Sequence, residues 1–69
     1  MRLSARNRIP ATVVRVTKGE ATANVELDAG AVRLMASVTV EAAEELRMEP
    51  GRRVVAVVKA SDVILGVED

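Results

Sequence analysis

The stretch ATANVELDAGAVRLMASVTV, residues 21–40, decides the fold of this chain. In residues 21–28, apolar side chains alternate with polar ones, which is typical of a strand with one buried face. Ala29-Gly30 is typical of a turn. In residues 32–40 every second side chain is again apolar. The stretch therefore predicts two antiparallel strands joined by a short turn.

Strands are also predicted on both sides of this stretch. Residues 11–16 are rich in Thr and Val, and a turn follows at residues 18–20. Residues 53–59 contain the apolar run Val54–Val58, which indicates a strand covered on both faces. Residues 63–65 predict a last, short strand. In so small a chain, a strand covered on both faces implies a partner subunit.

Between the third and fourth strands the sequence changes period. Residues 41–48 are helix formers, Thr39 is a suitable N-cap, and Pro50-Gly51 is expected to stop the helix. The prediction is an all-β fold, a five-stranded OB-fold-like barrel with one short helix, in a single domain over residues 1–69.

The composition indicates that copies of the chain assemble. The chain has 69 residues, 49% of them hydrophobic, with no aromatic residue, no Cys and no His. A core of small side chains gains little burial per residue, and neither a disulfide nor a structural zinc site is available to supplement it. Burial between subunits is the remaining route to stability.

Composition also argues against several classes of function. Catalysis near neutral pH usually depends on His, Cys or Tyr, and all three are absent. Nucleic-acid binding is not expected, because single-strand sites combine aromatic rings with a basic groove, while this chain has no ring and a net charge of zero. No apolar run has the length of a membrane span or a signal peptide, so we expect a cytoplasmic protein without a membrane partner.

Three short segments carry groups that suit an anion. Ser4-Ala5-Arg6-Asn7 and Lys59-Ala60-Ser61 combine a cation with a hydroxyl and a small residue that allows backbone N–H groups to approach a ligand. The helix start, residues 39–42, offers unpaired N–H groups. Taken singly, such cations are usually surface residues, and spacing alone does not bring the segments together.

An ordered set of motifs resembles the molbindins, small Mop-type proteins of the TOBE-domain group. The resemblance covers nearly the whole chain. The motifs that follow the family's order are Leu3-Ser4-Ala5-Arg6-Asn7, Thr12-Val13-Val14, Glu45-Leu46, Pro50-Gly51 in place of the common Glu-Gly, and Val58-Lys59-Ala60-Ser61-Asp62-Val63.

The resemblance implies a homo-oligomer, a hexamer built as a trimer of dimers, that binds molybdate or tungstate between subunits and has no cofactor and no directly ligated metal. The oxyanion-binding residues that it implies are Ser4, Ala5, Arg6, Thr39, Ala42, Lys59 and Ala60, with Asn7, Ser37 and Ser61 as secondary candidates. Many relatives carry Ser at the position of Ala42, so one hydroxyl contact is expected to be missing here.

The implied role is storage or buffering of the oxyanion in the cytoplasm. Related modules also form the ligand-sensing end of molybdate-responsive regulators and an appended domain of oxyanion-importer ATPases. A structural oligomerisation module without a ligand is the alternative from a different class. Titration with molybdate distinguishes a binding protein from that alternative.

Overall fold

The computed structural model describes residues 2–68 as one curled antiparallel sheet with a short helix. The sheet has four strands in the order β3-β2-β1-β4, so that β3 and β4 are its edges. The elements are β1 (Asn7–Lys18), β2 (Thr22–Asp28), β3 (Arg33–Thr39), α1 (Val40–Glu45), β4 (Arg53–Val58) and a 3-10 turn (Ala60–Asp62). The all-β prediction with one short helix is confirmed, and the sheet forms a half-barrel.

The predicted fifth strand is wrong. Residues 63–65 leave the sheet after the 3-10 turn and have no regular structure. Their side chains are strand formers, but a strand exists only where its backbone bonds to a neighbouring strand. Within residues 2–68, none of the strands lies beside them.

Strand β1 is longer than predicted and joins the two halves of the sheet. It begins at Asn7, and its first half pairs with β4 while its second half pairs with β2, with a bulge between Val13 and Arg15. Pro10 lies in the first half, where β2 does not reach. A proline without an N–H is tolerated there because that side of β1 is an edge.

The hairpin predicted from residues 21–40 is confirmed. Ala23, Val25 and Leu27 of β2 are buried, and β2 pairs in register with β3 from Thr22–Thr39 to Asp28–Arg33. In the turn, Gly30 has a φ of 90°, which favours glycine, and its N–H donates to Asp28 Oδ1 at 2.9 Å. Alternation of apolar residues was therefore a sufficient signal for this region.

Helix α1 begins as expected and ends earlier than expected. Thr39 is its N-cap, since the Thr39 hydroxyl accepts a hydrogen bond from the backbone N–H of Ala42 at 3.0 Å. The helix ends at Glu45 because Arg47 adopts a left-handed φ of 54° and Met48 N donates to the Ala43 carbonyl at 2.8 Å. Pro50-Gly51 therefore lies in the loop after the helix.

The core is small and open on one side. Its buried centre consists of Ala11, Val13, Val25 and Leu27. Strand β4, which we expected to be covered on both faces, is covered on one face only within one chain: Val54 and Ala56 are half-buried against the core, and Val55 and Val57 on the other face are exposed. That a partner subunit covers the exposed face of β4 remains a prediction.

Candidate functional site

Two of the three predicted segments lie side by side. Asn7, the first residue of β1, pairs with Val58, the last residue of β4. Ser4–Arg6 therefore enters the sheet where Lys59–Ser61 leaves it. The Asn7 side chain stabilises this junction, because its Nδ2 donates a hydrogen bond to the Val58 carbonyl oxygen at 3.0 Å. The structure thus brings together two segments that are far apart in sequence, and we call this junction the cationic end of β1.

The cations at this end have no acidic partner among the described residues. Ion pairs within residues 2–68 join Arg15 to Glu26 and Lys18 to Glu44, and neither involves Arg6 or Lys59. Both of these side chains are exposed, as are Ser4, Ala60 and Ser61, whereas Ala5 is buried. The positive charge is free to neutralise a bound anion.

The sequence interpretation missed one cation here. Arg8 is exposed and pairs opposite Val57, one residue further into β1 than Asn7. The signal was present in the sequence, because Arg8 lies only two residues after Arg6. Arg8 adds a third positive charge to the cationic end.

The helix start lies at the other end of β1. Thr39 pairs with Thr22 beside the β1–β2 turn, and the Lys18 Nζ lies 3.6 Å from Glu44 Oε2 of α1. Within one chain, the structure therefore does not bring Thr39 and Ala42 to Arg6 and Lys59.

The backbone N–H groups of the helix start are partly occupied. Val40 N donates to the Ala21 carbonyl at 3.0 Å, and Ala42 N donates to the Thr39 hydroxyl. We expected the Ala42 N–H to be available to a ligand. In this structure an anion has to displace the Thr39 hydroxyl in order to use it.

The secondary candidates divide between the two ends. Asn7 holds the β1–β4 junction, and Ser61 lies exposed in the 3-10 turn at the cationic end. Ser37 is exposed on β3, two residues before Thr39 and opposite Asn24. Ser37 therefore belongs with the helix start and not with Arg6.

The donor set of the cationic end suits an anion and not a cation. Guanidinium, ammonium, hydroxyl and backbone N–H groups all donate hydrogen bonds, and charged donors form the stronger bonds to oxyanions. Among residues 2–68, no cluster of His, Cys, Asp and Glu could hold a metal ion. No helix in this part of the chain is long and apolar enough to cross a membrane.

Comparison with known proteins agrees with this architecture. Residues 3–65 match the sequence model of the TOBE domain. The chain belongs to the TOBE-domain family. It is also 38% identical to the probable molybdenum-pterin-binding protein of Haemophilus influenzae over 69 residues, which cover 99% of this chain and 100% of that relative.

Solved structures extend the similarity to three dimensions. A molybdate-binding protein from Sporomusa ovata superposes with a TM-score of 0.93 at 33% identity, covering 97% of this chain and 100% of that chain. The cytoplasmic molybdate-binding protein ModG, solved with molybdate bound, gives a TM-score of 0.94 at 43% identity, covering 99% of this chain and 49% of that longer chain. The resemblance to molbindins is confirmed.

Proposed function

We propose that this protein binds molybdate, and also tungstate, as a cytoplasmic store or buffer that catalyses no reaction. The observation that carries the proposal is the convergence of two cation-bearing segments, with Arg6 and Lys59 free of acidic partners among the described residues. The names of the relatives and of the solved structures point to the same ligand.

At the cationic end, Arg6 and Lys59 supply most of the binding free energy by neutralising a dianion. Hydrogen bonds to charged groups contribute about 1.5–3 kcal/mol each, roughly twice the value for neutral pairs. The Ser4 hydroxyl donates a further bond. Ala5 and Ala60 allow their backbone N–H groups to approach the oxyanion, since neither carries a bulky side chain.

A second copy contributes the helix start, Thr39 and Ala42, to the same site. Twelve strand residues separate the cationic end from α1 in one chain, and at about 3.3 Å per residue even a bent strand keeps them far beyond the ~3 Å reach of a hydrogen bond. A site that contains both therefore spans two subunits. Asn7 and Ser61 support one half of that site, and Ser37 supports the other.

The exposed surface supports an assembly larger than a dimer, and the hexameric trimer of dimers is our proposal. The chain exposes 5782 Å², whereas a folded monomer of its 7.3 kDa exposes about 4,200 Å². The surplus is about 1,600 Å². A standard interface buries about 800 Å² on each partner, so the surplus is enough for roughly two such interfaces. The exposed face of strand β4, with Val55 and Val57, is part of this surface.

The same exposed surface favours one second candidate, an oligomerisation module that has no ligand. Apolar surface alone drives assembly and requires no anion. A further possibility is that the module serves as the sensing domain of a molybdate regulator or of an importer ATPase, since ModG is a longer chain of which this one covers 49%.

Calorimetry with molybdate, tungstate, sulfate and phosphate tests the proposal. Molybdate and tungstate are expected to bind with similar affinity and the other two much more weakly. Sulfate is smaller, so preformed donors do not all reach it, and phosphate carries a proton at neutral pH that would face other donors. Equal affinity for sulfate and molybdate would show an unselective anion patch, and no heat with any anion would favour the structural module.

A further inference from the structure

The two lysines of the chain lie in different surroundings at opposite ends of β1. Lys18 is the last residue of β1, and its Nζ lies 3.6 Å from Glu44 Oε2. Lys59 follows the last residue of β4 and, within residues 2–68, has no acidic partner. Both residues are exposed. The two amines therefore differ in their charged neighbours, while solvent reaches both.

Lys59 lies close to a guanidinium group. Asn7 and Val58 are paired across β1 and β4, and the Cα atoms of such a pair are about 5.5 Å apart at most. Arg6 and Lys59 are each one residue beyond this pair, so their Cα atoms are separated by at most about 13 Å. Two long side chains can close that gap on one small anion. Arg8, which pairs with Val57, adds a further positive charge nearby.

An amine beside an anion site suits one class of reagent, the acyl phosphates. These molecules join a phosphoryl group, which cations bind, to a carbonyl carbon, which amines attack. Inorganic phosphate is disfavoured at the cationic end because its proton would face other donors. An acyl phosphate carries its acyl group in place of that proton, and its phosphoryl group is a dianion at neutral pH. It therefore meets the cations as molybdate does.

We propose that Lys59 is a site of non-enzymatic acylation by acyl phosphates, which Arg6 holds by the phosphoryl group. The lone pair of the neutral Lys59 amine attacks the carbonyl carbon and forms a C–N bond. The bond from that carbon to the phosphoryl oxygen breaks, and inorganic phosphate leaves with the electron pair. The nitrogen loses a proton to water. The products are an amide at Lys59 and inorganic phosphate, and the step needs no oxidant or reductant.

Acylation weakens the oxyanion site because it removes a charge. The amide of Lys59 is neutral, so one of the two principal cations is lost. Molybdate affinity is expected to fall by roughly ten- to a hundredfold, as for Lys59→Ala. A bound oxyanion in turn occupies Arg6 and excludes the acyl phosphate. The proposed acylation rests on the proposed function, since both ligands use the same cations.

Peptide mass spectrometry of the parent protein, treated with acetyl phosphate at mildly alkaline pH, measures the acetylation rates of both lysines in one sample. N-hydroxysuccinimidyl acetate is the matched reagent, because it transfers the same acetyl group without a phosphoryl anion. The ratio of the Lys59 rate to the Lys18 rate is expected to be at least about fivefold higher with acetyl phosphate, because binding holds this reagent at Lys59. Equal ratios with the two reagents would overturn the proposal.

The role of Arg6 is tested with Arg6→Ala, and Arg33→Ala is the matched control. Arg33 is exposed on β3 and lies outside the cationic end. In Arg6→Ala the rate ratio with acetyl phosphate is expected to fall to the ratio with the neutral ester, while Arg33→Ala keeps the parent value. Light scattering verifies that both variants assemble as the parent does. A parent-like ratio in an assembled Arg6→Ala would contradict the binding of the phosphoryl group by Arg6.

Protection by molybdate distinguishes failure of the acylation from failure of the proposed function. At about ten times its Kd, molybdate is expected to slow acetylation of Lys59 by acetyl phosphate roughly tenfold and to leave Lys18 unchanged, because it occupies the same cations. Molybdate binding by calorimetry without protection of Lys59 would overturn the acylation and leave the proposed function standing. Absence of molybdate binding would contradict the proposed function, and the ratio of the two reagents would still decide the acylation.

Discussion

The two ends of β1 differ in charge and in the donors that they present. The cationic end presents side-chain cations, while the helix end presents a capped helix start among carboxylates. The cations of the first end are Arg6, Arg8 and Lys59, and the carboxylates of the second are Glu20, Glu41, Glu44 and Glu45. The cationic end therefore supplies the charge that neutralises a dianion, while the helix start can supply only backbone N–H donors.

The contrast also suggests how copies approach each other. Complementary potentials favour contact between the cationic end of one copy and the acidic helix end of another. In the arrangement that we propose, Thr39 of one copy lies near Arg6 and Lys59 of its neighbour. The predictions below alter one end at a time.

Removing a cation is expected to have the largest effect. Arg6→Ala or Lys59→Ala each removes a charged donor, so molybdate affinity should fall by roughly ten- to a hundredfold. Calorimetry measures the change, and light scattering verifies that the variant assembles as the parent does.

Arg33→Ala and Arg47→Ala are the matched controls. Both residues are exposed and lie outside the cationic end, in β3 and in the turn after α1. They should leave affinity within about twofold, as expected for surface substitutions away from the site. Parent-like binding by both Arg6→Ala and Lys59→Ala would contradict the site assignment.

A smaller effect is expected at the helix end from Thr39→Ala. The substitution removes the hydroxyl that accepts from Ala42 N–H at 3.0 Å, and loss of such a cap costs about 0.5–2 kcal/mol of folding stability. Urea unfolding measures it. Thr39→Ser keeps the hydroxyl and should retain most of the stability. An equal loss in both variants would show that the methyl group, and not the cap, is responsible.

The smallest effect is expected from Lys18→Ala, which removes the ion pair with Glu44 at 3.6 Å. The two side chains are 50% and 61% exposed, and pairs in water contribute about 0–1 kcal/mol. We expect a change in the free energy of unfolding below about 0.5 kcal/mol and no change in molybdate affinity. A loss of affinity similar to that of Arg6→Ala would mean that the two ends do not have distinct roles.

Local pattern predicted the parts of the fold that depend on local physics. The hairpin of residues 21–40 followed from period two, and the Thr39 cap from residue type. The strand expected at residues 63–65 was wrong because strand formation depends on a neighbouring strand as well as on side chains. The early end of α1 depends on the left-handed backbone at Arg47. An arginine gives no sequence signal for that conformation, which is usually adopted by Gly or Asn.

The sequence predicted which residue types could bind an anion, but it did not predict how they are arranged in space. Nothing in Arg6 or Lys59 alone shows that they meet, because their proximity depends on the long-range register between Asn7 and Val58. The family resemblance supplied the grouping before the register was known. The occupied N–H of Ala42, by contrast, follows from the predicted Thr39 cap, because an N-cap hydroxyl accepts a hydrogen bond from the second or third N–H of its helix.

Analytical ultracentrifugation of the parent protein across a dilution series, with and without molybdate, tests most directly whether the site is shared between copies. If each site needs two chains, molybdate binds the assembled form alone and shifts the dissociation of the assembly to lower protein concentration, by mass action. Bound molybdate should sediment with the oligomer and be absent from the single-chain boundary. A folded single chain at micromolar concentration that binds molybdate as tightly as the assembly does would contradict the account.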